Sequence, residues 1–367
     1  MGVIANVSAV IYLYAGCGKG AADLSAIKVF ECNRETGEIR SIQEINGPQS
    51  TAYFQLSPDG KSLYAPAENV GIGDAGDAWM VRFPVEENGR LGALEALAKL
   101  PCEAPCHVAL SPDAKTIAFA SYLSGTIGVM PACKDGKVVF RRLPDIGVGP
   151  NKKRQTKAYA HFALFFPDGE KIGFVDLGCD RIHFFKTAGL EPIPEMTIRA
   201  DPGDGPRHAV WSKDARFLFV LNELSSSVVS YELKNGLFSR VGKWSMLPEG
   251  FDRFEADRQT LSTKAAAIKL SDDGKLLMAS NRGFDSIAFY EVDTVSGCLR
   301  LKNIAPLKGS FPRDFEMLPG GQFMVVGHKM SNEIQIYRFE RKDCSLRAVG
   351  SAIGAWRPLC FKFKSCD

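Results

Sequence analysis

A short polar turn recurs six times along this chain, at intervals of about fifty residues. Its copies are SPDG (57–60), SPDA (111–114), FPDG (166–169), SKDA (212–215), SDDG (271–274) and LPGG (318–321). Each copy is followed by a short apolar strand such as IAFAS or LFVLN, and IYLYA (11–15) is a seventh such strand without the preceding turn. Similarity at a fixed period predicts a repeat architecture, in which each unit packs against its neighbours.

Each repeat has the pattern of four strands. The apolar strand is followed by one rich in aromatic and β-branched residues, such as SVVSYEL, and most repeats then continue through a Gly turn into a more polar strand, such as GCLRLKNI. Seven such repeats predict an all-β, seven-bladed β-propeller with four antiparallel strands per blade. The tail RPLCFKFK (357–364) has the pattern of the innermost strand that the first blade lacks. We therefore expect the tail to pair with the N-terminal blade and close the ring, with residues 1–367 forming a single domain.

Charge and cysteine usage limit the possible functions. The formal charge is only +3, and the basic loop 147–157 has no interleaved aromatics, so we expect no nucleic-acid surface. The N-terminal apolar run lacks a basic region before it and is too short to span a membrane. Ten irregularly spaced cysteines favour reduced thiols and a cytoplasmic location. A closed ring has no free sheet edge that demands a partner, so we expect a monomer.

Three local segments resemble functional sites or loops. CEAPCH (102–107) has two thiols and an imidazole, but structural zinc needs four ligands, so we expect no metal. GCGKG (16–20) lacks the spacing and the Ser or Thr of a P-loop, and we interpret it as a hairpin turn. The insertion DRFEADRQTLSTK (252–264) is the longest irregular segment, and we interpret it as a loop that caps one face.

Aligning the repeats on their turns identifies side chains that share a position around the ring. Just before the innermost strands the aligned residues are Ala52, Cys106, His161, Arg207, Ala266 and Arg313. At the ends of the second strands they are Glu68, Tyr122, Leu177, Glu223, Arg282 and Lys329. Both sets surround one mouth of the central channel, and converging cations repel one another unless an anion binds between them. This predicts an anion site formed by His161, Arg207, Glu223, Arg282, Arg313 and Lys329.

Several motifs resemble those of the seven-bladed propeller lactonase family. They are GPRHAVW (205–211), NELSSSVVSYEL (222–233), GSFPRDFEMLPGG (309–321) and GHKMSNEIQIY (327–337). The family includes a bacterial 6-phosphogluconolactonase and a fungal 3-carboxy-cis,cis-muconate cyclase, and the similarity extends over nearly the whole chain. In the cyclase branch a His, two Arg and a Glu are the proposed active site. Matched motif by motif, the resemblance implies that their counterparts are His161, Arg207, Glu223 and Arg282.

The resemblance implies a lactone hydrolase similar to a 6-phosphogluconolactonase, acting on a phosphorylated or carboxylated sugar lactone. We expect His161 to act as the base, with Glu223 orienting it or replacing it. Arg207 and Arg282 are expected to stabilise the oxyanion and hold the substrate. The remaining residues predicted to bind substrate are Arg313, Lys329, His208 and Lys264. No cofactor is required for this chemistry.

Two alternatives remain open. The same pocket could serve a cycloisomerase, in which a carboxylate adds across a conjugated double bond and His161 or Glu223 protonates the enolate. The chain could also be a non-catalytic propeller that acts as an interaction scaffold, because one architecture supports many functions.

Overall fold

The strands of each repeat fold into one four-stranded antiparallel sheet, and seven such sheets form the blades of a β-propeller. The computed structural model describes residues 9–18, 25–46, 52–68, 70–71, 73–74, 76–251 and 263–365. The predicted seven-bladed, all-β architecture is confirmed. The innermost strands of neighbouring blades contact each other around the ring.

Blades 1 to 4 contain the first fifteen strands. Blade 1 contains β1 (Val10–Cys17), β2 (Ser25–Asn33) and β3 (Ile39–Asn46). Blade 2 contains β4 (Gln55–Leu56), β5 (Ser62–Glu68), β6 (Ala78–Pro84) and β7 (Glu95–Leu100). Blade 3 contains β8 (Pro105–Leu110), β9 (Thr116–Ser121), β10 (Thr126–Pro131) and β11 (Val139–Arg142). Blade 4 contains β12 (Ala160–Phe165), β13 (Lys171–Asp176), β14 (Arg181–Lys186) and β15 (Ile198–Arg199), with short 3₁₀ helices at Ala188–Leu190 and Pro194–Met196.

Blades 5 to 7 contain the remaining strands. Blade 5 contains β16 (Pro206–Trp211), β17 (Phe217–Asn222), β18 (Ser227–Lys234) and β19 (Leu237–Ser245). Blade 6 contains β20 (Lys264–Leu270), β21 (Leu276–Arg282), β22 (Ser286–Val292) and β23 (Leu299–Pro306). Blade 7 contains β24 (Pro312–Met317), β25 (Phe323–His328), β26 (Glu333–Glu340) and β27 (Ser345–Gly354). The last strand, β28 (Pro358–Ser365), returns to blade 1.

The C-terminal strand closes the ring as the sequence predicts. β28 pairs antiparallel with β1, with Leu13 opposite Phe363 and Ala15 opposite Phe361. The backbone N–H of Phe361 also donates to Asp314 Oδ2 of blade 7, at 3.0 Å. The two ends of the chain therefore share one sheet, and that sheet is anchored to the last blade.

The recurrent turn owes its sequence to local hydrogen bonds. In the first copy, Ser57 Oγ donates to Asp59 Oδ1 at 2.6 Å and accepts the backbone N–H of Ser62 at 2.9 Å. The same pair of bonds is repeated in the turns that begin at Ser111, Ser212 and Ser271. The fourth turn residue has a positive φ, which explains why it is usually glycine.

Apolar side chains fill the space between neighbouring blades. One cluster joins Val29 of blade 1 to Phe54 and Phe83 of blade 2, and another joins Ile127 of blade 3 to Phe174 of blade 4. Burying a side chain of this kind contributes roughly 1.5–3 kcal/mol. Because the sheets bury their faces against each other, the strand ends at the channel mouth are available for polar groups.

Candidate active site

Polar side chains converge in a cavity of about 490 Å³ at one mouth of the channel. Its titratable lining residues include Arg154, His161, Arg207, Glu223, Arg282 and Arg313. Five of these were predicted from the aligned repeats, and they come from the starts of innermost strands and the ends of second strands. The structure therefore brings most of the predicted site together, and it adds Arg154.

A larger groove of about 780 Å³ lies between blades 3 and 4. Its walls include Val129, Val139 and Lys186, and Lys186 is already paired with Glu191 at 2.8 Å. No histidine is present among the described residues that line this groove. We place the site in the smaller cavity because that cavity combines an imidazole with converging cations.

β-Bulges direct the key side chains into the cavity. In the innermost strands β8, β12, β16 and β24 the pairing register shifts at the same point of the repeat. The residues skipped by these shifts are Cys106, His161, Arg207 and Arg313. A bulged residue leaves the hydrogen-bond ladder and its side chain is redirected. The sequence alignment identified this position without showing why it faces the channel.

Glu223 is the centre of the ionic network. Its backbone N–H donates to Gly205 O at 2.7 Å, which holds it at the end of β17. Its Oε2 lies 2.9 Å from Arg207 Nε and 2.8 Å from Arg282 Nη2, and its Oε1 lies 2.6 Å from Arg154 Nη2. The single carboxylate therefore contacts three guanidinium groups.

These contacts decide the protonation state of Glu223. Burial alone would raise its pKa, but Arg282, Arg207 and Arg154 outweigh burial and hold the pKa well below the ordinary value of 4.5. A carboxylate held so strongly in its charged form is a weak proton acceptor. Its position favours a role in orienting the arginines.

Arg207 and Arg282 are each fixed from a second side. Arg207 Nη1 donates to His208 Nε2 at 2.7 Å. Arg282 donates from Nε to Lys264 O at 3.1 Å and from Nη2 to Ala265 O at 2.8 Å. Burial, together with Arg282, lowers the pKa of Arg207 to about 9, which leaves it cationic at neutral pH. Both guanidinium groups are therefore held in place before any ligand binds.

Arg313 and Lys329 form no ion pair with a carboxylate among the described residues, although the charge of Glu223 acts on Arg313. Burial and Arg282 lower the pKa of Arg313. Burial and the charges of Arg313 and Arg282 lower the pKa of Lys329 to about 8. Arg313 lines the cavity, whereas half-buried Lys329 lies outside its lining.

His161 is buried at the cavity wall. Its ring lies edge-on to Tyr122 at a centroid distance of 5.6 Å, and Nδ1 has no hydrogen-bond partner in the described part of the chain. Burial, reinforced by the charge of Arg207, holds the pKa of His161 well below its ordinary value of 6.5. His161 is therefore neutral at physiological pH and has a ring nitrogen with a free lone pair, although the low pKa makes it a weaker base than an ordinary histidine.

His208 and Lys264 occupy positions behind the cavity lining. The ring of His208 packs against Phe162 at a centroid distance of 4.6 Å, and its Nε2 accepts the hydrogen bond from Arg207. Lys264 contributes its backbone carbonyl to Arg282. The described contacts of both residues thus support arginines that face the cavity.

Arg154 was not singled out from the sequence. It lies on the loop 147–157, which the sequence shows only as a basic segment leading to His161. Its Nη2 contacts Glu223 and also donates to Tyr122 Oη at 3.3 Å. The run of basic residues directly before His161 was the available signal, but no repeat counterpart marked one of them.

The remaining sequence predictions concern a metal site, two loops and a membrane span. Cys106 Sγ donates to the backbone carbonyl of His161 at 3.4 Å, and the described residues include no group of three or more potential ligands that could hold a metal. Residues 252–262 of the predicted capping loop, and Lys19 and Gly20 of the glycine-rich turn, lie outside the described residues. Within the described ranges, no helix has the length and apolar character needed to cross a membrane.

The sequence pattern of a protein family matches almost the entire chain. The model of the seven-bladed β-propeller lactonases covers residues 12–363. The chain belongs to this lactonase family. The resemblance inferred from the motifs is therefore confirmed.

Similar proteins of this lactonase family come from several bacteria. A 6-phosphogluconolactonase of Formosa agariphila is 29% identical over 326 residues, which cover 86% of this chain and 88% of that protein. A 6-phosphogluconolactonase of Bacillus subtilis is 29% identical over 263 residues, covering 71% of this chain and 73% of that protein.

Solved structures extend the comparison of this lactonase. A Bacteroides fragilis protein, provisionally assigned as a 6-phosphogluconolactonase, superposes with a TM-score of 0.83 at 27% identity and covers 97% of this chain and 98% of its own. A periplasmic gluconolactonase of Pseudomonas aeruginosa superposes with a TM-score of 0.84 at 22% identity, over 96% of this chain and 99% of its own. The second likeness shows the shared fold alone.

Proposed function

We propose that this lactonase hydrolyses a sugar lactone that carries a phosphate, as in the substrate of a 6-phosphogluconolactonase, or a carboxylate. One observation supports this most directly: neutral His161 shares a cavity with four arginines and only one carboxylate. Four cations and one anion leave a surplus of three positive charges in this lining. An anionic substrate would offset that surplus, and the imidazole supplies a base.

In the proposed reaction His161 takes a proton from water as the water oxygen attacks the lactone carbonyl. The resulting tetrahedral intermediate carries an oxyanion, which the positive wall formed by Arg207 and Arg282 stabilises. When the intermediate collapses, the bond from the carbonyl carbon to the ring oxygen breaks. The imidazolium of His161 then returns its proton to the departing alkoxide, and the product is a hydroxy acid.

Glu223 is proposed to act through the arginines rather than as a base. Its low pKa makes it a weak proton acceptor, and its ion pairs fix the orientation of Arg207 and Arg282. Arg313 and Lys329 are proposed to bind the distal anionic group, because both are cations that form no ion pair with a carboxylate in the described chain.

An assay of the purified protein on several lactones tests the proposal. We expect the protein to hydrolyse 6-phosphoglucono-δ-lactone with a kcat/KM of about 10⁴ M⁻¹s⁻¹ or more. The release of protons measures the rate. The product 6-phosphogluconate should stabilise the fold by about 2.7 kcal/mol at a concentration of about 100 Kd. Faster turnover of 3-carboxy-cis,cis-muconate would instead favour the cycloisomerase, and neither turnover nor stabilisation would favour the scaffold.

Lys329 gives the proposal a pH dependence. Its pKa of about 8 means that it loses its charge as the pH rises through that value. KM for the phosphorylated lactone should therefore rise above about pH 8 in the wild type. In Lys329→Met, KM should be higher at neutral pH and should not rise further near pH 8. Initial rates corrected for spontaneous lactone hydrolysis measure this, and an unchanged alkaline limb in the variant would remove Lys329 from substrate binding.

The proposal extends to the oligomeric state, the location and the partners of the protein. We propose a monomeric, single-domain protein of the cytoplasm that acts on a small anionic lactone and binds neither nucleic acid nor membrane. The cytoplasmic location rests on the irregular cysteine spacing, and the described cysteines are free thiols. Cell fractionation and analytical ultracentrifugation test the location and the oligomeric state.

A further inference from the structure

Arg154 differs from the other arginines around Glu223 in how much of its guanidinium group is free. Its side chain is 28% exposed, compared with 2% for Arg207 and 6% for Arg282. Only Nη2 of Arg154 has partners in the described chain, so Nε and Nη1 have none. Arg207 and Arg282 each use two of their three nitrogens in contacts with the protein. Of the three arginines that contact Glu223, Arg154 therefore keeps the most nitrogens for a ligand.

Arg154 is linked to the proposed base through Tyr122. Its Nη2 contacts Tyr122 Oη at 3.3 Å, and the Tyr122 ring lies edge-on to His161. Tyr122 is held in turn by stacking on Tyr159, at a centroid distance of 4.7 Å. Arg154, Tyr122 and His161 thus form one wall of the cavity. A carbonyl attacked by water beside His161 would share this cavity with the free donors of Arg154.

The loop that carries Arg154 is held by a buried polar brace. Gln155 is only 1% exposed, and its Nε2 donates to Leu177 O at 3.0 Å and to Asp180 Oδ1 at 2.8 Å. The same Asp180 oxygen accepts the N–H of Gly205 at 2.7 Å, at the entrance to the strand that carries Arg207. One carboxylate therefore positions both the Arg154 loop and the Arg207 strand. Donors held in place before reaction cost little reorganisation when charge develops.

We infer that Arg154 is a further catalytic residue, which donates hydrogen bonds from its free nitrogens to the oxyanion that forms on the lactone carbonyl. This inference rests on the proposed hydrolysis. It assigns Arg154 to the reacting carbonyl and leaves the distal anionic group to Arg313 and Lys329. A role at the carbonyl is independent of substrate charge, and this separates it from anion recognition.

The test compares Arg154→Ala and Arg154→Lys with wild type on 6-phosphoglucono-δ-lactone and on uncharged glucono-δ-lactone. Arg154→Ala should lower kcat by about 10²–10³-fold on each lactone that the wild type hydrolyses, with KM changed by less than about threefold. Arg154→Lys should recover part of kcat, and millimolar methylguanidinium should partly rescue Arg154→Ala. Lys153→Ala is the matched control, because it removes the same charge from an exposed position on the same loop.

The possible results distinguish a failure of the role of Arg154 from a failure of the proposed lactone hydrolysis. If the wild type hydrolyses no lactone, the proposed function and the role of Arg154 both fall. If the wild type is active and Arg154→Ala keeps its kcat, only the inference falls. A rise in KM confined to the phosphorylated lactone would assign Arg154 to anion recognition and would also overturn the inference. If Arg154→Ala unfolds, the kcat of Arg154→Lys tests the inference instead. A kcat equal to that of wild type in Arg154→Lys would overturn it, because lysine lacks the two donor nitrogens of the guanidinium group.

Discussion

Replacing His161 with glutamine is expected to lower kcat/KM for lactone hydrolysis by about 10²–10⁴-fold, the usual contribution of a general base. Glutamine is similar in size and can still donate a hydrogen bond, but it cannot accept the proton from water. The fold should be little affected, because Nδ1 of His161 has no partner in the described chain and no bond there is lost. Steady-state kinetics and thermal unfolding of the same preparation measure the two effects.

A control and a pH profile sharpen this test. His183→Gln changes a histidine on β14, outside the cavity lining, and should leave kcat/KM within about twofold of wild type. The base must be neutral, so activity is lost as the pH falls through the pKa of His161. Because that pKa is held well below 6.5, the acidic limb of the wild type should lie well below pH 6.5. Unchanged turnover in His161→Gln would remove His161 from the chemistry.

Glu223→Gln is expected to reduce the free energy of unfolding by about 3–5 kcal/mol, the cost of breaking a buried ion pair from one side. The substitution removes the carboxylate that contacts Arg154, Arg207 and Arg282 and leaves these cations to repel one another. Equilibrium unfolding in urea measures the loss. Phosphate should raise the melting temperature of the variant more than that of wild type, because the anion takes the place of the missing charge.

Glu232→Gln is the matched control for this effect. Glu232 lies on the same blade and pairs with Arg216 at 3.4 Å, but both side chains are partly exposed. Surface pairs of this kind contribute about 0–1 kcal/mol. If Glu223→Gln were as stable as Glu232→Gln, the three arginines would not depend on Glu223. Catalytic loss in Glu223→Gln without loss of stability would return Glu223 to the role of base.

The architecture could be predicted because each repeat contains the residues that form its own turn and strands. The Ser and Asp side chains of the turn SPDG and its relatives form local hydrogen bonds, so the turn is visible in sequence without knowledge of the fold. The C-terminal strand was also predictable, since the first blade lacked an inner strand and the tail had its pattern. Local chemistry and the period were sufficient for both.

The aligned repeats also predicted which side chains meet. His161 and Arg207 occupy one repeat position and Glu223 and Arg282 another, and equivalent positions on neighbouring blades face the same mouth. What the alignment could not supply was the pattern of contacts. Only the structure shows that Glu223 is held by three arginines, and this argues against its use as a base.

Arg154 could not be predicted from the aligned repeats because its loop has no counterpart in the other repeats. Its conformation depends on Gln155 and Asp180, which are 25 residues apart and meet only in the folded chain. Lys329 was predicted from its register, yet it lies outside the cavity lining. Long-range contacts of this kind leave no local signal.

The β-bulges place pocket side chains at positions that do not take part in the regular pairing of the strands. At a bulge the residue makes no regular ladder pair, so replacing its side chain leaves the strand pairing of the blade intact. Cys106 occupies this position in blade 3 and already faces the cavity. The bulge is thus the position at which one blade can present a different side chain to the pocket from its neighbour while all the blades keep the same strand pairing.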